Sequence, residues 1–246
     1  MEGEHVASID PVDYESQEES PGGSTATFTR PIGHVESVNV GQPRNVPWHD
    51  RVVTTAIWKQ PAKGRIAAAG VNLDGDGQAD RRVHGGPTKA IYAYAIEDYH
   101  WWADQIGSPL TPGTFGENLT VAGIDLRAAV IGERWQIGNL TARVTEPRIP
   151  CFKLGIRMGD AAFVGRFADA ARPGTYLAIE RAGDVEAGDP IHLLDRPGHQ
   201  VTIGDVERAY HGHPELLALL VDLDDLSENW RDWARRHSAD INVERE

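Results

Sequence analysis

Between residues 28 and 194 the chain falls into short segments, some of period two and some wholly apolar, and glycine or proline closes most of them. Residues 34–40 (HVESVNV) and 51–57 (RVVTTAI) alternate as half-buried strands do, because successive side chains of a strand point to opposite faces. Lys63 and Gly64 make a turn between further short strands. Residues 90–94 (AIYAY) suit a buried strand, and residues 118–121, 134–137, 140–145, 175–180 and 190–194 also have strand character. Helical spacing replaces this pattern at residues 97–106, with Tyr99, Trp102 and Ile106 on one face, and at residues 161–171, before Pro173 and Gly174. Many short strands with few helices predict a mostly β fold with flanking helices, a barrel or sandwich rather than alternating βαβ units. With 246 residues, 40% of them hydrophobic, the chain can bury such a core without disulfide staples.

Beyond Pro197 and Gly198 the pattern becomes helical, over residues 202–210, 215–220 and 225–236. Thr202 with Asp205, and Ser227, suit helix starts, and Trp230, Trp233 and Ala234 have inward spacing. The opposite end is acidic: Glu2, Glu4, Asp10, Asp13, Glu15, Glu18 and Glu19 all precede the first basic residue, Arg30. The expected organisation is a disordered acidic tail over 1–25, a barrel domain over 26–197 and a three-helix appendage over 198–246. A net charge of −13 argues against nucleic acid as a main partner. No signal peptide is expected from residues 1–5, and no apolar run approaches the roughly 20 residues that span a bilayer, so a soluble, cytoplasmic protein is expected.

Cys151 is the only cysteine, which excludes an intramolecular disulfide, a CxxC redox pair and a multi-cysteine metal site. Its thiol is buried filler, a nucleophile or one soft ligand to a metal-bearing cofactor. Pro147 and Pro150 stiffen the approach to it, Arg148 and Lys153 lie within three residues, and a helix beginning at Phe152 places the sulfur where the helix dipole favours thiolate. A cysteine hydrolase needs a histidine base and an orienting amide, for which His84 and Asn118 are candidates, although ten histidines make such pairs easy to find. Zinc is poorly served, since His211 and His213 are badly spaced and lack further ligands.

Residues 70–89 form the densest polar stretch. A calcium loop starting at Asp74 would need glycine where Ala79 stands and an acid where Gly85 stands, so Asp74, Asp76 and Asp80 do not make an EF-hand. An anion site fits as well as a surface turn does. Arg81, Arg82, His84 and Lys89 crowd together, and Gly85 and Gly86 let the backbone approach a ligand and offer N–H groups.

Taken together, these segments resemble the MOSC domain, the module related to the C-terminal domain of molybdenum-cofactor sulfurase, in its YiiM-like branch. The likeness runs from about residue 31 to 195. It is carried by Ala56-Ile57-Trp58-Lys59, by the 70–89 stretch with Asp76, Asp80 and His84-Gly85-Gly86, and by Tyr92, Tyr94, Tyr99 and Trp102. Pro112-Gly113-Thr114-Phe115-Gly116-Glu117-Asn118-Leu119 and Arg148-Ile149-Pro150-Cys151-Phe152-Lys153-Leu154 complete it. The resemblance implies a MOSC-type β-barrel followed by a small three-helix appendage, binding molybdenum cofactor (molybdopterin) and not requiring pyridoxal phosphate. It implies that Cys151 places its sulfur on the metal. Lys59, Arg82, His84, Lys89 and Arg148 are then partners for the pterin phosphate or the metal's oxo groups, with Gly85 and Gly86 beside them. Asn118 would fix a pterin edge, His84 or solvent would supply protons beside Cys151, and Asp76 and Asp80 would orient Arg and His side chains rather than ligate.

The activity implied is reduction of N-hydroxylated compounds such as hydroxylaminopurines. One cysteine excludes a Cys₄ iron–sulfur cluster in these residues, and no Gly-x-Gly-x-x-Gly follows a strand, so electrons are expected from a separate donor protein. Two alternatives stay open: a non-catalytic carrier of cofactor, or of sulfur on Cys151, and a module whose Gly-Gly loop binds another phosphate.

Overall fold

The computed structural model describes residues 30–79 and 85–243. The expected acidic tail and Asp80, Arg81, Arg82 and His84 lie outside the described residues. In order, the elements are β1 (Gly33–Val40), β2 (Arg44–Trp48), β3 (Arg51–Thr55), β4 (Gln60–Pro61), β5 (Ile66–Ala69), β6 (Asn72–Leu73), β7 (Ile91–Ala95) and α1 (Ile96–Ile106). There follow β8 (Leu119–Ala122), β9 (Arg134–Ile137), β10 (Leu140–Pro147), α2 (Phe152–Met158), α3 (Phe163–Asp169), β11 (Thr175–Arg181), β12 (Gly183–Val185) and β13 (Pro190–Asp195). The last are α4 (Ile203–Tyr210), α5 (Leu217–Leu220) and α6 (Glu228–Val243). Short 3₁₀ turns at Pro87–Lys89 and Pro214–Leu216 precede β7 and α5.

Seven strands close a barrel in the order β1, β8, β7, β11, β10, β9, β13. It is sealed where β13 meets β1, Ile191 opposite Gly33 and Pro190 opposite His34. Closure leaves no exposed edge in the ring, which decides between the barrel and the sandwich. Every neighbouring pair in the ring is antiparallel except β7 and β8, which run parallel with α1 between them. A single βαβ unit is thus embedded in the barrel, because parallel neighbours need a crossover and α1 provides it.

The sequence of β7, Ile-Tyr-Ala-Tyr-Ala, explains why it shows no polar alternation. Ile91, Ala93 and Ala95 face the barrel's apolar core, where Trp135, Leu119 and Val144 are also fully buried, while Tyr92 and Tyr94 face a second, aromatic cluster. That cluster gathers Tyr99 and Trp102 of α1 with Phe115, Phe163 and Phe167, and the Trp102 indole N–H donates to the Tyr94 hydroxyl at 2.9 Å. The helix expected over 161–171 is the shorter α3, starting after Asp160 accepts the Ala162 N–H.

Three helices follow, with α5 shorter than the expected 215–220 and α6 starting at Glu228 rather than Asp225. Thr202 and Asp205 make a reciprocal capping box at α4, while α6 runs seven residues past the expected end at Arg236, to Val243. Ile203, Val206, Leu217, Leu220 and Trp230 join the same apolar cluster as the barrel interior, so these helices share its core.

The loop from α1 to β8 is organised on a buried carboxyl. Glu117 Oε1 accepts from the Tyr99 hydroxyl (2.5 Å), the Gly113 N–H (2.6 Å) and the Thr120 hydroxyl (2.8 Å). Burial pushes the Glu117 pKa up, and these donors offset only part of that push. Gly113 and Gly116 take φ of 85° and 81°, and a Cβ would meet the Lys59 carbonyl at 2.6 Å from the first or the Ile57 side chain at 2.8 Å from the second. The loop therefore lies directly on residues 57–59. Because the folded state holds Glu117's proton to higher pH than the unfolded chain does, stability falls as pH rises through the folded pKa. Glu117→Gln keeps the Oε1 acceptor and cannot ionise. Its melting temperature should rise relative to the native protein as pH goes from mildly acidic to mildly alkaline; parallel curves for the two proteins would contradict this.

Candidate cofactor site

A cleft of about 650 Å³, open to solvent on one side, lies where β10 runs out into α2. Among its described lining residues, Lys59, Lys89, Arg148 and Lys153 face one carboxylate, Asp76. In a chain of net charge −13 this is a strong local reversal of sign.

Lys59 is 6% exposed and pairs with Asp76 Oδ1. Burial lowers the Lys59 pKa, and the Asp76 carboxylate works against that fall. Asp76 is itself fixed by the Gly41 N–H (2.8 Å, to Oδ1) and the Asn118 amide N–H (3.0 Å, to Oδ2). Among the described residues, Asp76 thus orients a lysine and an amide. Asn118 lines the cleft, but its Oδ1 accepts the Tyr92 N–H (3.1 Å) and its Nδ2 donates to Asp76 and to the Asn39 carbonyl (3.4 Å). With both ends of its amide engaged in the barrel wall, it positions β7 and Asp76 rather than presenting itself to a pterin.

Arg148 follows the last residue of β10 and is 7% exposed. Its guanidinium carbon lies 5.2 Å from the Tyr92 ring centre and 5.3 Å from that of Phe167, faces that favour a cation. Burial acts to lower its pKa, but the Tyr92, Tyr176 and Cys151 groups around it prevail and hold it up. Its Nη1 is buried with no hydrogen-bond partner among the described residues. Cys151 is half-buried and occupies the N-cap of α2, whose first bond runs from the Leu154 N–H to the Cys151 carbonyl at 2.8 Å. The helix expected from Phe152 is present and begins directly after the cysteine.

Gly85 and Gly86 do not line the cleft. They lead into the 3₁₀ turn that delivers Lys89, with Gly86 at φ 96° as its N-cap. Arg82 and His84 cannot be placed, being outside the described residues. The structure also adds Glu146, which the sequence reading had left without a role. Buried at 1% exposure, it accepts from the Thr88 hydroxyl (2.9 Å, Oε1) and faces Lys89 Nζ (3.7 Å) and the Ser227 hydroxyl (3.4 Å) with Oε2. An acid two residues before Arg148, between Thr145 and Pro147 at the end of β10, is its signal. His211 and His213 turn to Glu207 (3.7 Å) and Glu215 (2.9 Å), and no group of three metal-ligating side chains occurs among the described residues. No helix among them is long and apolar enough to cross a membrane.

An anionic cofactor fits these residues: buried cations in surplus, one of them with an unpartnered nitrogen, next to a thiol. Comparison with known proteins agrees with that class. Residues 80–192 match the family model of the MOSC domain, a family known for binding molybdenum cofactor. The chain is 34% identical over 200 residues to the uncharacterized protein YflK of Bacillus subtilis (strain 168), covering 80% of this chain and 90% of that one. The chain belongs to the MOSC domain family. Within the family it is YiiM-like: the crystal structure of YiiM from Geobacillus stearothermophilus superposes with a TM-score of 0.70 at 26% identity, over 84% of this chain and 99% of that one. A protein named a reductase from Gibberella moniliformis (strain M3125 / FGSC 7600) is 30% identical over 176 residues, 69% of this chain but 31% of its own length.

Removing Asp76 should expose the cost of the buried ammonium. Asp76→Asn should lose about 3–5 kcal/mol in urea unfolding. The deficit should narrow as pH rises, because the unfolded chain keeps the Lys59 proton to higher pH than the folded variant does. Lys59→Met with Asp76→Asn should recover much of the loss. A double variant no more stable than the single one would contradict the pairing.

Proposed function

We propose that the chain is a molybdenum-cofactor-binding reductase of N-hydroxylated compounds, such as hydroxylaminopurines, fed by a separate electron-donor protein. The observation that carries the reading is Arg148: a buried guanidinium with an unpartnered nitrogen, lining the same cleft as Cys151 and Lys59. A buried cation with an unpartnered donor is stabilised by an anionic ligand, and phosphate or oxo groups provide the acceptor. Lys59 and Arg148 would neutralise the cofactor's anionic groups, and Cys151 would offer molybdenum a soft sulfur ligand. Bound there, the cofactor supplies the electron chemistry that takes N–OH to N–H.

The protein's own part is orientation. The Asp76–Asn118–Tyr92 chain of hydrogen bonds holds Lys59 in place, and Tyr92 and Phe167 hold the Arg148 plane. Lys89, next to Glu146 and 5.7 Å from the Tyr176 ring, brings its amine to the Cys151 side of the cleft. His84 keeps the role of proton donor that the resemblance implies. The reductase from Gibberella supports the class of reaction, and its unmatched length fits a redox partner outside the MOSC part.

Protein produced in a host that makes the cofactor should purify with stoichiometric molybdenum. It should reduce a hydroxylaminopurine with reduced viologen, and Cys151→Ser should abolish turnover. Arg148→Met, which keeps the bulk, should lower molybdenum content about tenfold or more. Cofactor bound tightly without turnover would favour the carrier role, and absence of molybdenum would overturn the reading.

A further inference from the structure

A second cleft of about 800 Å³ adjoins the first and shares Lys89, Cys151 and Tyr176 with it. Its character is different. One wall is the β10–α2 junction, including Ile149 and Pro150, and the other is formed by Tyr210 of α4 with Trp230 and Trp233 of α6. The three rings make a corner: Trp230 and Trp233 have centres 5.4 Å apart at 80°, and Tyr210 lies 5.5 Å from each. His237 packs on Trp233 at 4.7 Å and steadies it. Asn229, exposed on α6, adds an amide at the rim.

We propose that this second cleft is the substrate site, that its C-terminal aromatic corner selects a flat nitrogen heteroaromatic, and that Trp233 and Asn229 set this specificity. The inference rests on the reductase reading and deepens it. A cationic cleft and an aromatic cleft meeting at one thiol divide the work by chemistry: anionic cofactor on one side, planar ligand on the other. Aromatic faces take up a heterocycle by stacking, which is insensitive to the exact base, and an amide pairs with its edge by donating and accepting. The site also gives the C-terminal helices a task, since α4 and α6 supply its aromatic corner. Trp230 is buried in the shared core, whereas Trp233 is partly exposed and open to substitution.

The test is isothermal titration of cofactor-free protein with 6-hydroxylaminopurine, alongside native protein and the variants Trp233→Ala, Trp233→Phe and Asn229→Ala. Native protein and Trp233→Phe should bind alike. Trp233→Ala should bind about tenfold more weakly, the scale of one lost base–aromatic stack. Asn229→Ala should show a smaller loss. In the holoprotein, Trp233→Ala should raise KM for the purine with little change for hydroxylamine itself, which has no ring to stack. No purine binding by native cofactor-free protein, or undiminished binding by Trp233→Ala, overturns the proposal. Purine binding that needs Trp233 but is never followed by turnover keeps the subsite and sinks the reductase reading instead.

Discussion

A cation held out of water must be compensated locally, and two such cations, Lys59 and Arg148, shape one mouth of this barrel. Lys59 has a carboxylate, Asp76, which is tied to β1 through Gly41 and to the α1–β8 loop through Asn118. Arg148 has aromatic faces but, among the described residues, no partner for Nη1. The first arrangement is closed and structural. The second is open, and its missing acceptors are the strongest sign in the molecule that an anion belongs in the cleft.

The barrel is what makes this arrangement rigid. β10 is paired to β9 over its first half and to β11 as far as Pro147, where Arg148 and Pro150 carry the chain into α2. The Arg148 and Cys151 side chains therefore hang from a strand that cannot shift register without disturbing the core. Glu146, one step earlier, joins the 3₁₀ turn bearing Lys89 and the start of α6 to the same strand. Barrel, turn and C-terminal helices thus converge on a few residues around one thiol.

Much of this was legible in the sequence because the physics is local. Strands with one wet face alternate, so β1, β9 and β11 could be read within a residue or so of their ends, and the Thr202–Asp205 capping box marks α4 directly. Ring closure was not legible, since the β1–β13 contact joins residues at opposite ends of the barrel domain. Nor was the parallel β7–β8 pair, because a strand buried on both faces carries no alternation to reveal its neighbours. In the site, Lys59, Lys89, Arg148 and Cys151 were picked out by residue type and converge as expected. Asn118 and Asp76 were assigned other tasks, because a side chain's hydrogen-bond partners depend on tertiary neighbours. Trp233 and Tyr210 read simply as helix-face aromatics, since nothing in their own segments points towards Cys151.

The central claim is that the cationic cleft holds molybdenum cofactor with the Cys151 sulfur on the metal. X-ray absorption at the molybdenum edge, on native holoprotein and on Cys151→Ser loaded through the retained Lys59 and Arg148 cations, tests it most directly. The account predicts that the variant loses one sulfur neighbour from the metal's shell. An unchanged sulfur shell in Cys151→Ser would contradict it.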